Sequence, residues 1–229
     1  MKKAVVFTGS GVSAESGLKT FRDSGGLWEN YRVEDVATPK AWQRNRSMVL
    51  EFYNQRRLQV IEAAPNAAHL ALAKMEKKYD VQIITQNIDD LHERAGSTKV
   101  LHLHGEIRKA RSSIDPTLVY DIEGGYIREG DHCSKGSQLR PHIVWFGELV
   151  PELERAAVLV SEAEIFIVIG TSLLVYPAAG LVEYAPLNAD KYFIDPHAGE
   201  NDHSQFTIIN ENAGTGVPQL VSKLLNSKS

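Results

Sequence analysis

The apolar positions of the chain fall into short, nearly unbroken runs separated by polar or glycine-rich turns. They predict strands at Lys3–Thr8, Val81–Thr85, Lys99–Leu103, Ile165–Gly170, Lys191–Ile194 and Phe206–Ile209. Continuous rather than alternating runs suit strands covered on both faces. Helical stretches intervene at Met48–Ala63, Asn66–Lys77, Glu152–Glu162 and Val217–Leu225, and Asn66 is a natural N-cap before an alanine-rich run of high helix propensity. Strand and helix in alternation predict an α/β fold with a doubly wound, mostly parallel sheet. Two regions break the alternation. Leu27–Ala64 is rich in helix formers and aromatics with no clear strand, and reads as a helical insertion. Lys109–Gln138 is polar and glycine-rich, with weak strands near Leu118–Ile122 and Tyr126–Arg128. The expected division is a large domain of residues 1-26, 65-108 and 139-229, and a small lobe of residues 27-64 and 109-138. The tail Asn226–Ser229 is expected to fray.

Composition narrows this only a little. A length of 229 residues allows one large domain or one domain with an insertion, and 43% apolar residues is a globular value. No apolar run approaches the roughly 20 residues that span a bilayer. Met1-Lys2-Lys3 leads straight into a strand, which is read as leaving no room for a signal peptide. The net charge of −4, with both signs mixed along the chain, argues against a nucleic-acid backbone as the main ligand. The single cysteine, Cys133, excludes a disulfide or a cysteine-only metal site within one chain. The expectation is a cytoplasmic, monomeric enzyme that uses neither membrane nor nucleic acid.

Chemistry enters after the first strand, where the chain reads Thr8-Gly9-Ser10-Gly11-Val12-Ser13-Ala14-Glu15-Ser16-Gly17. The spacing Gly9-x-Gly11-x-x-Ala14 fits a dinucleotide-binding turn in its alanine-tolerant form. Gly11 would let backbone approach phosphate oxygens, and a helix beginning near Ser13 would aim its free N–H groups at the anion. The acidic residue expected about 20 positions on is missing, since Asp23 is too near and follows no strand. Open α/β sheets place ligands beyond the carboxyl ends of their strands. Those ends carry Gln86-Asn87-Ile88-Asp89, His104-Gly105-Glu106, Gly170-Thr171-Ser172 and Asp195. Singly each could be turn chemistry; four in one sheet argue for a site. Asp195 is placed to accept from ribose hydroxyls, doing the work of the missing acid. His104, at a strand end, is a general-base candidate. His102 reads as structural, and His69 and His92 as residues of helical surfaces.

These motifs, with Phe21-Arg22-Asp23 and Val144-Trp145-Phe146-Gly147-Glu148, occur in an order that resembles the sirtuin signature from residue 5 to 225. The similarity is to short bacterial NAD-dependent protein deacylases. It implies a Rossmann-like sheet with a small lobe made of a helical insertion and a degenerate zinc-ribbon-like segment. It implies NAD as consumed co-substrate, with the pyrophosphate on Gly9, Ser10, Gly11 and Ala14, Glu15 also among the cofactor-binding residues, and the adenosine near Ser172, Asp195 and Ala213. Asn87, Ile88 and Asp89 would line the nicotinamide pocket. Gln86 and His104 would lie near its ribose, with Gly170 and Thr171 in the adjoining turn. Phe21, Arg22 and Trp28 would help order the cofactor. The acyl oxygen of a modified lysine would attack the ribose carbon as nicotinamide leaves. His104, aided by Asn87, would then activate a ribose hydroxyl, giving free lysine and O-acyl-ADP-ribose. The stretch Val144, Phe146, Gly147 and Glu148 resembles the edge to which a substrate peptide adds as a strand.

One further match and one departure matter. Tyr53 and Arg56, three apart on a helix, share a face; the spacing alone reads as an exposed arginine beside a half-buried tyrosine, and the resemblance turns it into a cradle for a carboxylate. They match the Tyr-x-x-Arg pair of the branch that removes succinyl, malonyl or glutaryl groups, with acetyl-lysine also accepted. The family's two Cys-x-x-Cys zinc pairs are degraded here to Ser112 and Asp115, then Cys133-Ser134-Lys135-Gly136. Structural zinc wants four sulfur or nitrogen ligands, so no zinc is expected, and the lobe is expected to rely on Tyr120, Ile122, Tyr126 and Ile127. Ser10, Lys19 and Asp195 replace the family's usual alanine, proline and asparagine. The competing readings are mono-ADP-ribosyl transfer and a non-catalytic NAD- or ADP-ribose-binding module.

Overall fold

The computed structural model describes residues 1–19, 27–28 (backbone only), 31–198 and 204–227. Its strands are β1 (Lys3–Thr8), β2 (Leu27–Trp28), β3 (Tyr31–Arg32), β4 (Asp80–Thr85), β5 (Val100–His102) and β6 (Gly105–Ser112). Then come β7 (Val119–Asp121), β8 (Leu139–Ile143), β9 (Ile165–Ile169), β10 (Asp190–Ile194) and β11 (Thr207–Ile209). The α-helices are α1 (Val33–Val36), α2 (Pro39–Arg44), α3 (Arg46–Glu62), α4 (Ala67–Met75), α5 (Leu91–Arg94), α6 (Leu153–Ser161) and α7 (Ala213–Asn226).

Six strands form one sheet in the order β11-β10-β9-β1-β4-β5, with every pairing parallel. The unbroken apolar runs follow from burial on both faces. Ala4 and Val6 of β1 join a core with Leu72 of α4 and Val217, Leu220 and Leu224 of α7. Val5 and Phe7 face the other way, onto Ala156 and Val160 of α6 and Leu181 of a 3-10 helix. Asn66 caps α4 as expected, accepting from Ala68 N at 2.9 Å, and its amide donates to Val12 O at 2.8 Å. That bond ties α4 to the loop after β1.

A third core packs α3 against a three-stranded antiparallel sheet in the order β7-β6-β8. Several expectations are corrected here. β6 and β8 are strands that the polar sequence concealed, while Tyr126–Arg128 forms none. The insertion holds the short antiparallel pair β2 and β3. The segment after Gly9 begins as a 3-10 helix at Ser10 rather than near Ser13. Helix α7 starts four residues early, at Ala213, with Pro218 inside its first turns. Pro218 is the sixth residue of the helix, past the first turn, so the Gly214 carbonyl lacks the N–H that a residue at 218 would otherwise give it.

The loops after β1 and β9, adjacent strands whose connections run in opposite directions, cross at close range. Gly9 N donates to Ile169 O at 3.0 Å and Gly11 N to Gly170 O at 2.8 Å. A Cβ on Gly11 would lie 2.7 Å from Gly170 Cα, and Gly170 itself has φ +60°. Both glycines are demanded by this loop-on-loop contact, a reason the sequence reading of Gly11 did not contain.

Candidate active site

Above the crossing of these loops, at the switch point of the sheet, lies a cavity of about 550 Å³. Ligands of doubly wound folds bind at such points. Its sheet-side wall holds Gly9, Ser10, Gly11 and Ala14, the turn Gly170, Thr171 and Ser172, and Asp195 with Ala213. Asp195 is buried at the end of β10, and its Oδ1 accepts from His197 N at 2.9 Å. Glu15 is an exception to the sequence reading. It is exposed, does not line the cavity, and accepts from Gly214 N at 2.5 Å near the start of α7. Phe21 and Arg22 lie outside the described residues, as does the side chain of Trp28.

The chain after β4 forms a buried hydrogen-bonded row. Thr85 Oγ1 accepts from Thr8 Oγ1 at 2.8 Å and from Asn87 N at 3.0 Å. Asn87 Nδ2 donates to Ser13 Oγ at 3.1 Å, and Ser13 Oγ donates to Asp89 Oδ2 at 3.0 Å. Burial raises the pKa of Asp89, against the hydrogen bonds from Leu91 N and Ser13. Gln86 reaches across to Thr171, Nε2 to Oγ1 at 3.1 Å. The row fixes Asn87, Ile88 and Asp89 along the cavity.

His104 also lines the cavity. Its Nδ1 lies 2.9 Å from Gln86 O, and a carbonyl only accepts, so Nδ1 carries the hydrogen and Nε2 keeps a lone pair. Burial lowers its pKa, with the Gln86 carbonyl opposing. A neutral imidazole with one basic nitrogen is the form a general base needs. His102 is anchored structurally, Nε2 to Glu93 at 2.7 Å and Nδ1 to Asn87 O at 3.1 Å. His69 and His92 are not surface residues. Both are buried, their rings stacked edge-on with centroids 4.8 Å apart. Thr8 gives its hydrogen to Thr85, so His92 Nε2 donates to Thr8 Oγ1, at 3.2 Å. Burial depresses both pKa values, that of His69 to about 4.

The opposite wall comes from α3 and the chain after β8. Tyr53 and Arg56, one turn apart on α3, both line the cavity. Arg56 donates to Lys19 O at 3.1 Å and to Gln59 Oε1 at 3.2 Å. The neighbouring Arg57 points elsewhere, fully buried, donating to Ile107 O at 2.6 Å and to Asn54 Oδ1 at 2.7 Å. Burial lowers its pKa to about 10. Trp145, absent from the sequence-predicted set, sends its Nε1 hydrogen to Tyr53 OH at 3.0 Å. The carboxylate of Glu148 is committed to three donors: Arg140 at 2.7 Å, Arg111 at 3.0 Å and Trp145 N at 2.8 Å. Burial would raise its pKa, but Arg140, Trp145 N and Arg111 together bring it below the ordinary value. Val144 N donates to His104 O and Phe146 N to Ala37 O. A peptide adding to Val144–Glu148 would therefore meet Gly147 and carbonyl oxygens.

Where the family's metal pairs would fall, Cys133 Sγ lies 3.1 Å from Ser137 Oγ, and Ser112 Oγ lies 2.9 Å from the same atom. Hydrogen bonds from Ser112 and Ser137 bring the thiol down to about 7. Lys135 pairs with Asp115 at 2.8 Å. Among the described residues there is no group of three or more His, Cys, Asp or Glu that could hold a metal ion. Ile127 is buried in the third core and bracketed by Asn54, whereas Tyr126 is largely exposed, against expectation. No described helix is long and apolar enough to cross a membrane.

A glycine crossing at a switch point, a buried carboxylate at the next strand end and a row of amide and hydroxyl groups between them are a donor and acceptor set that fits a dinucleotide. A buried histidine with one basic nitrogen stands beside it, and the class is a nucleotide-dependent enzyme. Residues 9–177 match the sequence model of the Sir2 family, and the chain belongs to that family. An NAD-dependent protein deacylase of Helicobacter pylori (strain 26695) is 53% identical over 231 residues, covering 100% of both chains. A solved Sir2 homologue in complex with NAD is 39% identical, covers 98% of this chain and 90% of its own, and superimposes with a TM-score of 0.87. A Sir2 variant with a deacetylated p53 peptide and 3'-O-acetyl ADP ribose is 30% identical, with 96% and 92% covered and a TM-score of 0.81.

Proposed function

We propose that this chain is an NAD-dependent protein lysine deacylase that prefers succinyl and malonyl groups and also accepts acetyl. NAD, acyl-lysine and one water are consumed, and nicotinamide, free lysine and O-acyl-ADP-ribose are the products. The coarser part, an enzyme that consumes NAD to deacylate proteins, follows from membership of the Sir2 family and from deacylase relatives matched along the full chain. The acyl preference rests on one observation: Tyr53 and Arg56 line the same cavity as His104 and the glycine loop.

When bound, NAD supplies a ribose carbon made electrophilic by departing nicotinamide. The chain's own groups do the rest. His104 Nε2 takes the proton of a ribose hydroxyl. Asn87 and Asp89, held by Ser13, orient the nicotinamide end, and Asp195 accepts from the adenosine ribose. Arg56 offers its planar guanidinium to the carboxylate of the acyl chain, with Tyr53 beside it; charge-assisted bonds of this kind gain strength in a buried site. Residues 27-64 and 109-138 act as a small lobe that carries the acyl-recognising wall, and the protein works as a cytoplasmic monomer. The experiment is Arg56→Met assayed with acetyl- and succinyl-lysine peptides and NAD. Desuccinylation should fall far more than deacetylation; equal losses refute the acyl assignment.

A further inference from the structure

We propose that Trp145 is a positioning residue for acyl selection: its indole N–H holds the Tyr53 hydroxyl as a hydrogen-bond donor toward the carboxylate of an acidic acyl group. The inference rests on the acidic-acyl reading above.

The indole nitrogen has a hydrogen to give and nothing to accept with. In its 3.0 Å bond to Tyr53 OH the phenol oxygen is therefore the acceptor, and the phenol hydrogen is not spent on Trp145. Tyr53 is fully buried, and burial pushes its pKa above the ordinary phenol range, so the hydrogen stays on at every working pH. A protonated phenol can meet a carboxylate only as the donor. A carboxylate, which only accepts, is the partner it suits, and the cation of Arg56 stands one turn away on α3.

The indole is itself immobilised. The Arg140 guanidinium lies 3.3 Å from its ring centroid, and the Trp42 ring packs at 5.8 Å. Glu148 grips both ends of this assembly, taking Arg140 Nη1 at 2.7 Å and Trp145 N at 2.8 Å. A cation over an indole face is a favourable contact that gains when desolvated. The chain after β8 thus sets Trp145, and Trp145 sets Tyr53. An acetyl group, lacking a carboxylate, draws nothing from this arrangement.

The test is Trp145→Phe, which keeps an aromatic ring and removes the N–H, assayed with succinyl- and acetyl-lysine peptides of one sequence. A neutral hydrogen bond is worth about 0.5–1.5 kcal/mol, so the succinyl-over-acetyl ratio of kcat/KM should fall about two- to tenfold, through KM. In a Tyr53→Phe background the same change should leave the ratio within about twofold. If Trp145→Phe does not fold, 3-benzothienylalanine at position 145 keeps the indole shape without the donor and should lower the ratio likewise. An unchanged ratio, or the same fall without Tyr53's hydroxyl, overturns the proposal. Arg56→Met separates the two readings. A selective loss there beside an unchanged ratio for Trp145→Phe overturns this inference alone, and no selective loss in either variant overturns both.

Discussion

On the sheet side the cavity is walled by backbone and small residues: two glycine loops crossing at hydrogen-bond distance, and short polar side chains whose partners lie within the wall. On the α3 side it is walled by large side chains, Tyr53, Arg56 and Trp145, stacked and charged. The first wall suits a ligand common to every turnover, because backbone contacts cannot be retuned without moving the loops. The second can change its selectivity one side chain at a time. Substitutions on the sheet side should lower all reactions together, and those on the α3 side should change their ratio.

The largest effect expected is at His104. Removing a general base costs about 10²–10⁴-fold, so His104→Ala should lower kcat/KM that far for acetyl and succinyl peptides alike. A loss confined to one acyl group would erase the distinction between the walls. Next comes Arg56→Met. A hydrogen bond to a charged group is worth about 1.5–3 kcal/mol, so desuccinylation should fall about ten- to hundredfold relative to deacetylation.

A smaller effect reports on the floor beneath the sheet-side wall. The folded pKa of His69 is held near 4 by burial, below the unperturbed 6.5. Between those values the unfolded chain binds a proton that the folded chain refuses, so stability falls as pH drops from about 6.5 to about 4. His92, depressed by the same burial, acts in the same direction. Thermal unfolding across that window should show the decline, and His69→Gln should flatten it; a flat wild-type profile would contradict the buried neutral pair. The smallest effect lies in the lobe behind α3. Ser112→Ala, removing one hydrogen-bonded hydroxyl, should cost about 1 kcal/mol in denaturant unfolding. Protein purified without chelator should carry no stoichiometric zinc. Zinc at one per chain would mean that the hydrogen bonds among Ser112, Cys133 and Ser137 are not what holds the lobe.

The two walls also differed in how far they could be read from the sequence. β1 falls at Lys3–Thr8 as predicted because burial on both faces leaves an uninterrupted apolar run. The strand-end residues of the sheet follow from it, and Gln86 to Asp89, His104, Gly170 to Ser172 and Asp195 meet in one cavity, whereas Gly105, Glu106 and Glu15 do not line it. β6 was missed because Arg108, Lys109 and Arg111 interrupt its apolar positions although only Arg108 is exposed, and its pairing with β8 is irregular, which hides the period of two. The burial of His69 and His92 depends on two helices meeting, which local pattern does not encode. Trp145 stood in the quoted motif, yet its partner is 92 residues away. The only signal was the general one that a buried indole needs an acceptor.

The account turns on the carboxylate. The most direct measurement is kcat/KM of the wild-type enzyme, with saturating NAD, on one peptide carrying acetyl-, malonyl- or succinyl-lysine. The Tyr53, Arg56 and Trp145 wall predicts succinyl and malonyl above acetyl by about tenfold or more. Equal values, or an acetyl preference, would contradict it.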